Sequence, residues 1–241
     1  MKKIIAFLFI FSIFIGKNSQ AEFSSFLSED EIPAGAEFLP LPPEPTDAAF
    51  YNDWRLYQWG KTMRNTERGQ TAKNDAVHTP QYFAEIYSEP FGMVISEDNT
   101  PEIMLMISRL LETTYLCNKK SKSQIMRTRP FIQFNEPTPV PEDEEKLKKN
   151  SSYPSGHTTM GWAIALVLAE INPEHQNAIL KRGFEYGQSR VIVGFHYQSD
   201  VDAARIITSA LVNRLHANDE FLNQLDKAKK EYVFKKSAVK D

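Results

Sequence analysis

The segment from Gly156 to Ile171 constrains the fold most strongly, because it is apolar almost all round rather than on one face. A helix with that pattern belongs in the centre of a protein, where other elements cover every side of it. Its longest apolar run, Met160 to Ala169, is closed by Glu170 after ten residues, which is too short to cross a bilayer. The segment therefore predicts a central, buried helix.

Further helical patterns flank this segment. The strongest covers Glu102 to Asn118, where apolar side chains recur at spacings of three and four residues after Pro101, a residue suited to a helix start. No segment shows a convincing alternation of apolar and polar residues, as a half-buried strand would. We therefore predict an all-α fold. The other predicted helices are Asp53 to Arg68, Gln81 to Tyr87, Pro173 to about Val193, Val201 to about His216 with Asp200 as its N-cap, and a last one that begins at Asp219 or Glu220.

Two stretches have no clear helical pattern. Five prolines between Pro33 and Pro45 predict an extended, polyproline-like arm over residues 22–50, without internal hydrogen bonds. The stretch from Glu136 to Asn150 is also rich in proline and charge, and predicts a surface loop with room for one helical turn. No repeat and no flexible linker divides the rest. We therefore predict one compact multi-helix domain over residues 51–241.

The first residues have the pattern of a secretory signal peptide. Two lysines follow Met1, the run from Ile4 to Ile15 is almost uninterruptedly apolar, and Ser19-Gln20-Ala21 has small residues at the two positions that signal peptidase reads. The apolar run is too short for a membrane anchor. We expect residues 1–21 to be removed, the mature chain to have no membrane span, and the protein to be periplasmic or secreted.

Composition excludes several classes of function. With 28 Lys and Arg against 31 Asp and Glu, the chain has a formal net charge of -3 and no long basic run, so it has no surface suited to nucleic acid. Cys117 is the only cysteine, which excludes a disulfide scaffold and cysteine-held zinc or iron–sulfur sites. Because it lies among leucines, we interpret Cys117 as a core residue.

Lys122 and Arg129 form the first candidate cluster. They are seven residues apart, which on a helix is two turns, or about 10 Å on one face. Pro130 disfavours helical geometry at Arg129, so the helix is predicted to end there. Two cations at a helix end suit an anion, and the arginine fork matches phosphate oxygens. The alternative is a solvated basic face shared with Lys119, Lys120 and Arg127.

Pro154-Ser155-Gly156-His157 forms the second cluster, directly before the most apolar helix. Free N–H groups and a partial positive charge make the first turn of a helix an anion site. Ser155 can cap the helix or donate its hydroxyl, Gly156 permits close backbone approach, and His157 would face the bound group. The alternative is a serine-capped helix with an incidental histidine.

The third cluster joins Arg190 to His196 and Asp200. Arg190 lies near the end of a helix that Gly194 stops, and Asp200 follows His196 by four residues. A carboxylate on one imidazole nitrogen selects the tautomer and leaves the other nitrogen as a nucleophile. The alternative is that Asp200 only caps the next helix while His196 packs with its aromatic neighbours. The remaining histidines, which we expect to be structural or on the surface, are His78, His175 and His216.

The three clusters, in this order, resemble the signature of the phosphatidic-acid phosphatase type 2 superfamily, which also contains vanadium haloperoxidases. The stretch from Ser151 to Arg205 is similar to the bacterial class A nonspecific acid phosphatases. Val193 and Tyr197 differ from the cysteine and tryptophan that members often have there, and neither position carries the chemistry. The resemblance implies a secreted acid phosphatase for many small phosphomonoesters, with phosphotransferase activity as a side reaction. The family and the arm also suggest a homo-oligomer.

The resemblance also implies a role for each site residue. His196 would attack phosphorus to give a phosphohistidine, Asp200 would orient it, and His157 would act as general acid and then as base. Phosphoryl transfer depends mainly on positioning and on stabilising charge on the oxygens. Cations and a helix N-terminus can supply that stabilisation, and no acidic cluster has metal-site spacing, so we expect no metal and no cofactor. The implied phosphate-binding residues are Lys122, Arg129, Ser155, Gly156 and Arg190.

Two alternative functions remain open from the sequence. The same residues could hold vanadate, with His196 as its ligand, in a peroxide-dependent haloperoxidase. They could also belong to a phosphate- or polyanion-binding protein without turnover.

Overall fold

A computed structural model describes residues 24–238, in which all regular secondary structure is helical. The predicted all-α fold is therefore confirmed, whereas the predicted signal peptide lies outside the described residues. Within that range no helix is both long enough and apolar enough to span a bilayer. The helices are α1 (Phe50–Met63), α2 (Glu67–Asn74), α3 (Pro80–Phe91), α4 (Pro101–Gln124), α5 (Pro130–Gln133), α6 (Pro141–Leu147), α7 (Gly156–Ile171), α8 (Gln176–Ile192), α9 (Gln198–Leu215) and α10 (Asp219–Ala238).

Helix α7 lies in the centre of the fold, as its all-round apolar pattern predicts. It packs against α8, α9, α4, α10 and α3. Two glycines let α7 and α8 approach closely: a side chain at Gly161 would overlap Tyr186, and one at Gly183 would overlap Ala165. This packing fixes the N-terminal end of α7 relative to the C-terminal end of α8.

The predicted helix from Asp53 to Arg68 is two helices, and the prediction of one continuous element is wrong. Helix α1 ends at Met63, and Thr66 then caps α2 by accepting a hydrogen bond from the Gly69 amide at 3.2 Å. The hydroxyl of a threonine competes with the helical backbone for such donors, which periodicity alone does not detect.

The predicted helix end at Arg129 is also wrong. Helix α4 ends at Gln124, and the chain is extended from Ile125. Here the backbone bonds to the segment before α7: the Arg127 amide donates to Ser151 Oγ at 3.1 Å, and its carbonyl accepts from the Ser152 amide at 2.9 Å. Lys122 and Arg129 therefore do not share a helical face, because long-range hydrogen bonds replace the helical ones between them.

Asp200 does not cap the last helix of the signature. Helix α9 begins at Gln198, and Asp200 is its third residue. The Asp200 carboxylate nevertheless accepts the Tyr197 amide at 2.8 Å, which is the reciprocal bond of a capping box. Asp200 thus satisfies the helix start from inside the first turn rather than from before it.

The proline-rich arm lies on its own domain. Its apolar side chains at Phe26, Leu27, Ile32 and Leu39 are buried in the main core. The arm is less extended than the prolines predict, since a short 3-10 turn at Gly35–Glu37 carries internal hydrogen bonds. Cys117 is buried and unpaired, as predicted. Burial raises the pKa of its thiol to about 12.

Candidate active site

A cleft of about 480 Å³ opens where α4, the segment after α6 and the start of α7 meet. Of its lining residues, five are lysine or arginine and none has a carboxylate, so the cleft favours an anion. It brings together five of the predicted site residues, and the other three (Ser155, Arg190 and Asp200) are fully buried. The predicted residues that line the cleft are Lys122, Arg129, Gly156, His157 and His196.

His196 lies in the turn between α8 and α9, directly after Phe195 and the left-handed Gly194 (φ 82°). Arg129 Nη1 lies 3.1 Å from its Nε2. Because a guanidinium only donates, Nε2 must be the unprotonated acceptor. The proton is then on Nδ1, which lies 3.3 Å from Asp200 Oδ2 and 3.3 Å from Ser152 Oγ. Burial and the charge of Arg129 lower the pKa of His196 to about 3, which keeps Nε2 a free base.

Several donors surround the Asp200 carboxylate. Besides His196 and the Tyr197 amide, Ser152 Oγ donates to Oδ2 at 2.5 Å, and Arg127 donates to Oδ1. Burial opposes ionisation, but the bond to His196 and the Arg127 charge outweigh it, so the pKa of Asp200 lies below its usual range. Asp200 is therefore an anion that holds the Nδ1 side of His196.

Arg129 is rigidly held beside this histidine. Its guanidinium donates to three backbone carbonyls, those of Leu147, Phe195 and Ser151, at 3.0 to 3.1 Å, and to Asn150 Oδ1. Burial is the main reason that its pKa falls to about 10, and the guanidinium remains cationic at neutral pH. This anchoring directs a fixed positive charge at the cleft.

Lys122 and Arg190 are two further basic residues of the predicted site. Lys122 Nζ donates to the Ser151 carbonyl at 2.6 Å, and burial together with the nearby Arg129 charge places its pKa well below the usual value. Arg190 donates from Nη2 to the Ala72 carbonyl at 2.8 Å, while its buried Nε and Nη1 have no partner among the described residues. Unpaired buried donors are costly, so Arg190 retains N–H groups that an anionic acceptor would satisfy.

His157 lies in the first turn of α7 and is 3.0 Å from the Ala76 carbonyl through Nε2. Since a carbonyl only accepts, Nε2 carries a proton, and Nδ1 is the nitrogen that titrates. Burial, followed by the charges of Arg190 and His78, places the pKa of His157 well below its ordinary value. An anion bound beside it would raise that pKa again.

Ser155 and Gly156 begin α7. Ser155 is the N-cap of α7, which is one of the two roles predicted for it. Its Oγ lies 3.5 Å from the Thr158 amide. The three atoms nearest to a Cβ added at Gly156 all belong to Asn118, the nearest at 3.4 Å. Packing within the protein therefore does not require glycine at this position. Close approach of a ligand to the backbone would require it.

Sequence reasoning missed several residues around the site. Arg127 was assigned only to a solvated face, although its side chain is 7% exposed and bonded to Asp200. Ser152 and Asp53 had no local signal, because their partners are far away in the chain. His78 is exposed as predicted, but it also lines the cleft, with its ring 4.8 Å from that of His157. Only a contact prediction between distant segments would have found them.

Comparison with known proteins identifies the family. The family model described as PAP2 superfamily matches residues 104–220, which include every predicted site residue. A non-specific acid phosphatase of Providencia stuartii is 50% identical over 196 residues, or 81% of this chain and 79% of that protein. One of Salmonella typhimurium is 39% identical over 226 residues, or 93% of this chain and 90% of that protein. An acid phosphatase of Zymomonas mobilis is 34% identical over 195 residues, or 80% of this chain and 74% of that protein. The resemblance inferred from the three clusters is thus confirmed: the chain belongs to the PAP2 superfamily and, within it, to the bacterial non-specific acid phosphatases.

Proposed function

We propose that the chain is an acid phosphatase that hydrolyses small phosphomonoesters through a phosphohistidine at His196. The observation that carries this proposal is the tautomer of His196, whose Nε2 lone pair faces the cationic Arg129 in the cleft while Nδ1 faces Asp200. The names of the relatives support the same reaction class.

In the first step, the Nε2 lone pair forms a bond to phosphorus and the ester P–O bond breaks. The leaving oxygen takes a proton from His157, which has to be protonated on Nδ1 at that moment. The new phosphoimidazole carries a positive charge, which Asp200 stabilises through Nδ1–H. The entering phosphoryl group would exchange the Arg129–His196 contact for contacts from both residues to the substrate.

In the second step, water attacks phosphorus and gives a proton to His157, and the N–P bond breaks. Inorganic phosphate leaves, and both histidines return to their starting states. An alcohol in place of water would yield a new phosphomonoester, which is the proposed phosphotransferase side reaction.

Charge on the phosphoryl oxygens is the main electrostatic demand of both steps. Lys122, Arg129 and Arg190 would meet it together with the Ser155 hydroxyl and the first-turn N–H of Gly156. Binding a phosphate dianion favours the protonated form of Lys122 and so offsets its lowered pKa.

We propose that this chemistry needs no metal. Within residues 24–238, no group of three or more His, Cys, Asp or Glu side chains is arranged to hold a metal ion. The cations named above would take over the charge neutralisation that a metal supplies in other phosphatases.

The two histidines predict an acidic pH optimum. His196 is neutral above about pH 3, the value of its pKa, so the nucleophile is available from there upward. The pKa of His157 is lowered by burial, so the protonated acid is lost as the pH rises. Activity should therefore peak below neutral pH and fall as the pH rises through neutrality.

The test is release of p-nitrophenol from p-nitrophenyl phosphate between pH 4 and 8, with excess EDTA. We expect turnover that is undiminished by EDTA and highest at acid pH. Phosphate binding without turnover would support the binding-protein alternative instead. A flat profile through neutral pH would contradict the role of His157 as the general acid, and loss of activity in EDTA would contradict metal independence.

Replacing Gly156 with alanine tests the proposed cradle separately from the histidines. The added methyl group fits beside Asn118, so the melting temperature should be retained. It would stand where a phosphate has to approach the first-turn N–H, so KM and the inhibition constant of phosphate should rise about tenfold, or ~1.4 kcal/mol. Gly161→Ala is the matched control: its methyl overlaps Tyr186, so stability should fall while KM remains. Unchanged phosphate inhibition in Gly156→Ala would exclude this cradle.

Export and self-association remain proposals. We propose that residues 1–21 direct the protein to the periplasm or the medium, and that the mature chain forms a homo-oligomer. N-terminal sequencing of the secreted protein tests the cleavage after Ala21, and light scattering tests the oligomeric state.

A further inference from the structure

A second layer of buried charge lies behind Asp200, on the side away from the cleft, and the proposed reaction steps do not use it. Arg127 donates from Nη1 to Asp200 Oδ1 and from Nη2 to Asp53 Oδ2, the latter at 2.8 Å. The three side chains are 7%, 0% and 1% exposed, respectively. Since burying charges costs several kcal/mol per ion unless each is well paired, this arrangement calls for an explanation.

Ser199 and two further contacts hold Arg127 in place. Ser199 Oγ accepts from Arg127 Nη1 at 2.7 Å and donates to Asp53 Oδ2 at 2.5 Å, and its amide donates to Asp53 Oδ1 at 2.8 Å. The guanidinium stacks over the Tyr197 ring at 4.1 Å and donates to the Pro43 carbonyl of the arm at 3.1 Å. Helix α1, the arm and α9 thus meet at one side chain.

The consequence for Asp200 is geometric. Arg127 occupies Oδ1, so the carboxylate cannot rotate without breaking a buried ion pair. Oδ2 is thereby left for Ser152, the Tyr197 amide and His196 Nδ1. Holding a catalytic group within a few tenths of an ångström of its productive position depends on such supporting contacts.

The consequence for charge is equally direct. The positive charge of Arg127 offsets the negative charge that Asp200 presents to His196, and Asp53 in turn offsets Arg127. The other charged or titratable groups that face His196 are Arg129, Lys122 and His157.

We propose that Arg127 and Asp53 are positioning residues of the phosphatase reaction, which hold the Asp200 carboxylate against His196 and balance its charge. The inference rests on the proposed role of His196. It extends that role to α1 and the proline-rich arm, which no part of the three-cluster signature includes.

The two charges make opposite predictions for pH dependence. Removing the positive charge in Arg127→Gln leaves more negative charge beside His196, favours its protonated form and disables it at a higher pH. Removing the negative charge in Asp53→Asn leaves the charge of Arg127 uncompensated and disfavours the protonated form of His196. The acid limb of kcat/KM should move up by about half a pH unit or more in Arg127→Gln, and should stay or move down in Asp53→Asn.

The experiment compares kcat, KM and phosphate inhibition for p-nitrophenyl phosphate between about pH 2 and 7 in the full chain and its variants, a range that includes the acid limb set by His196 near pH 3. We expect kcat to fall at least about fivefold in both variants, with KM and the phosphate inhibition constant within about threefold, because the residues that bind the phosphate are untouched. Arg127→Lys should keep the position of the acid limb and recover part of kcat, since it keeps the charge but not the fork.

Arg109→Gln is the matched control. Arg109 also pairs with a carboxylate, that of Glu220, donates to backbone carbonyls and stacks over the Phe26 ring at 4.0 Å, but it is not among the residues that line the cleft. It should lose stability without a change in kcat or in pH profile. If Arg127→Gln does not fold, Arg127→Lys and Ser199→Ala test the same layer without removing a charge.

A second readout separates this inference from the proposed function. The titration of His196 followed by NMR should give its highest pKa in Arg127→Gln and its lowest in Asp53→Asn, with or without turnover. A wild-type chain without turnover would overturn the proposed function alone. The positioning role of Arg127 and Asp53 would be overturned if His196 titrated identically in the wild-type chain, Arg127→Gln and Asp53→Asn. A rise in KM with unchanged kcat in the two variants would overturn it as well.

Discussion

Replacing His196 with alanine should lower kcat for p-nitrophenyl phosphate by a factor on the order of 10⁴ or more, as removal of a catalytic nucleophile generally does. Inhibition by inorganic phosphate should change far less, because Lys122, Arg190 and the α7 N-terminus remain. Loss of turnover with retained phosphate binding would establish that His196 acts in the chemical step rather than in binding.

The control for this variant is His216→Ala. His216 caps the end of α9 and lies 2.9 Å from Glu170, outside the residues that line the cleft. Its replacement should leave kcat and KM unchanged. Substantial turnover in His196→Ala would mean that another group attacks phosphorus, and would exclude the phosphohistidine.

Replacing His157 with asparagine should give a different kinetic signature. p-Nitrophenolate leaves readily without a proton, so the first step should be slowed less than the second, in which water needs a base. The phosphoenzyme should then accumulate, and p-nitrophenol should appear in a burst equal to the enzyme concentration. We expect steady-state kcat to fall about 10² to 10⁴-fold, the usual contribution of general acid–base catalysis.

The pH profile of the same variant identifies the group behind the alkaline limb. If that limb belongs to His157, it should disappear in His157→Asn, and substrates with poor leaving groups should be affected most. His175→Asn, a change at a histidine bonded to the Pro90 carbonyl and outside the cleft, should leave the limb in place. A limb that persists in His157→Asn would belong to another group, such as Lys122, whose pKa is also lowered, or the substrate. Equal slowing of both steps without a burst would contradict the role of His157 as base.

Several features of the fold follow from local sequence. The central position of α7 comes from its all-round apolar pattern, and the start of α4 from Pro101 and the spacing that follows it. Gly194 turns the chain directly after α8, because it adopts a positive φ that costs little energy only in glycine. These predictions succeed because the responsible forces act within one or two turns of the chain.

Other boundaries depend on distant partners and were predicted wrongly. Helix α4 ends before Arg129 because the chain near Arg127 bonds to Ser151 and Ser152, which periodicity cannot detect. The break between α1 and α2 was also predicted wrongly, but its cause is local: the Thr66 hydroxyl accepts the Gly69 amide three residues later and so competes with the helical backbone.

The candidate site shows the same division between features that the local sequence predicts and features that depend on distant contacts. The sequence alone determined which side chains are candidates for the chemistry, because His157, His196 and Asp200 stand in short patterns that resemble the family signature. Only the tertiary structure decided which nitrogen of His196 is free and which charges stand behind Asp200. Arg127 and Asp53 are 74 positions apart, and a contact of that separation forms only when packing of the helices and the arm offsets the entropy of closing the intervening chain.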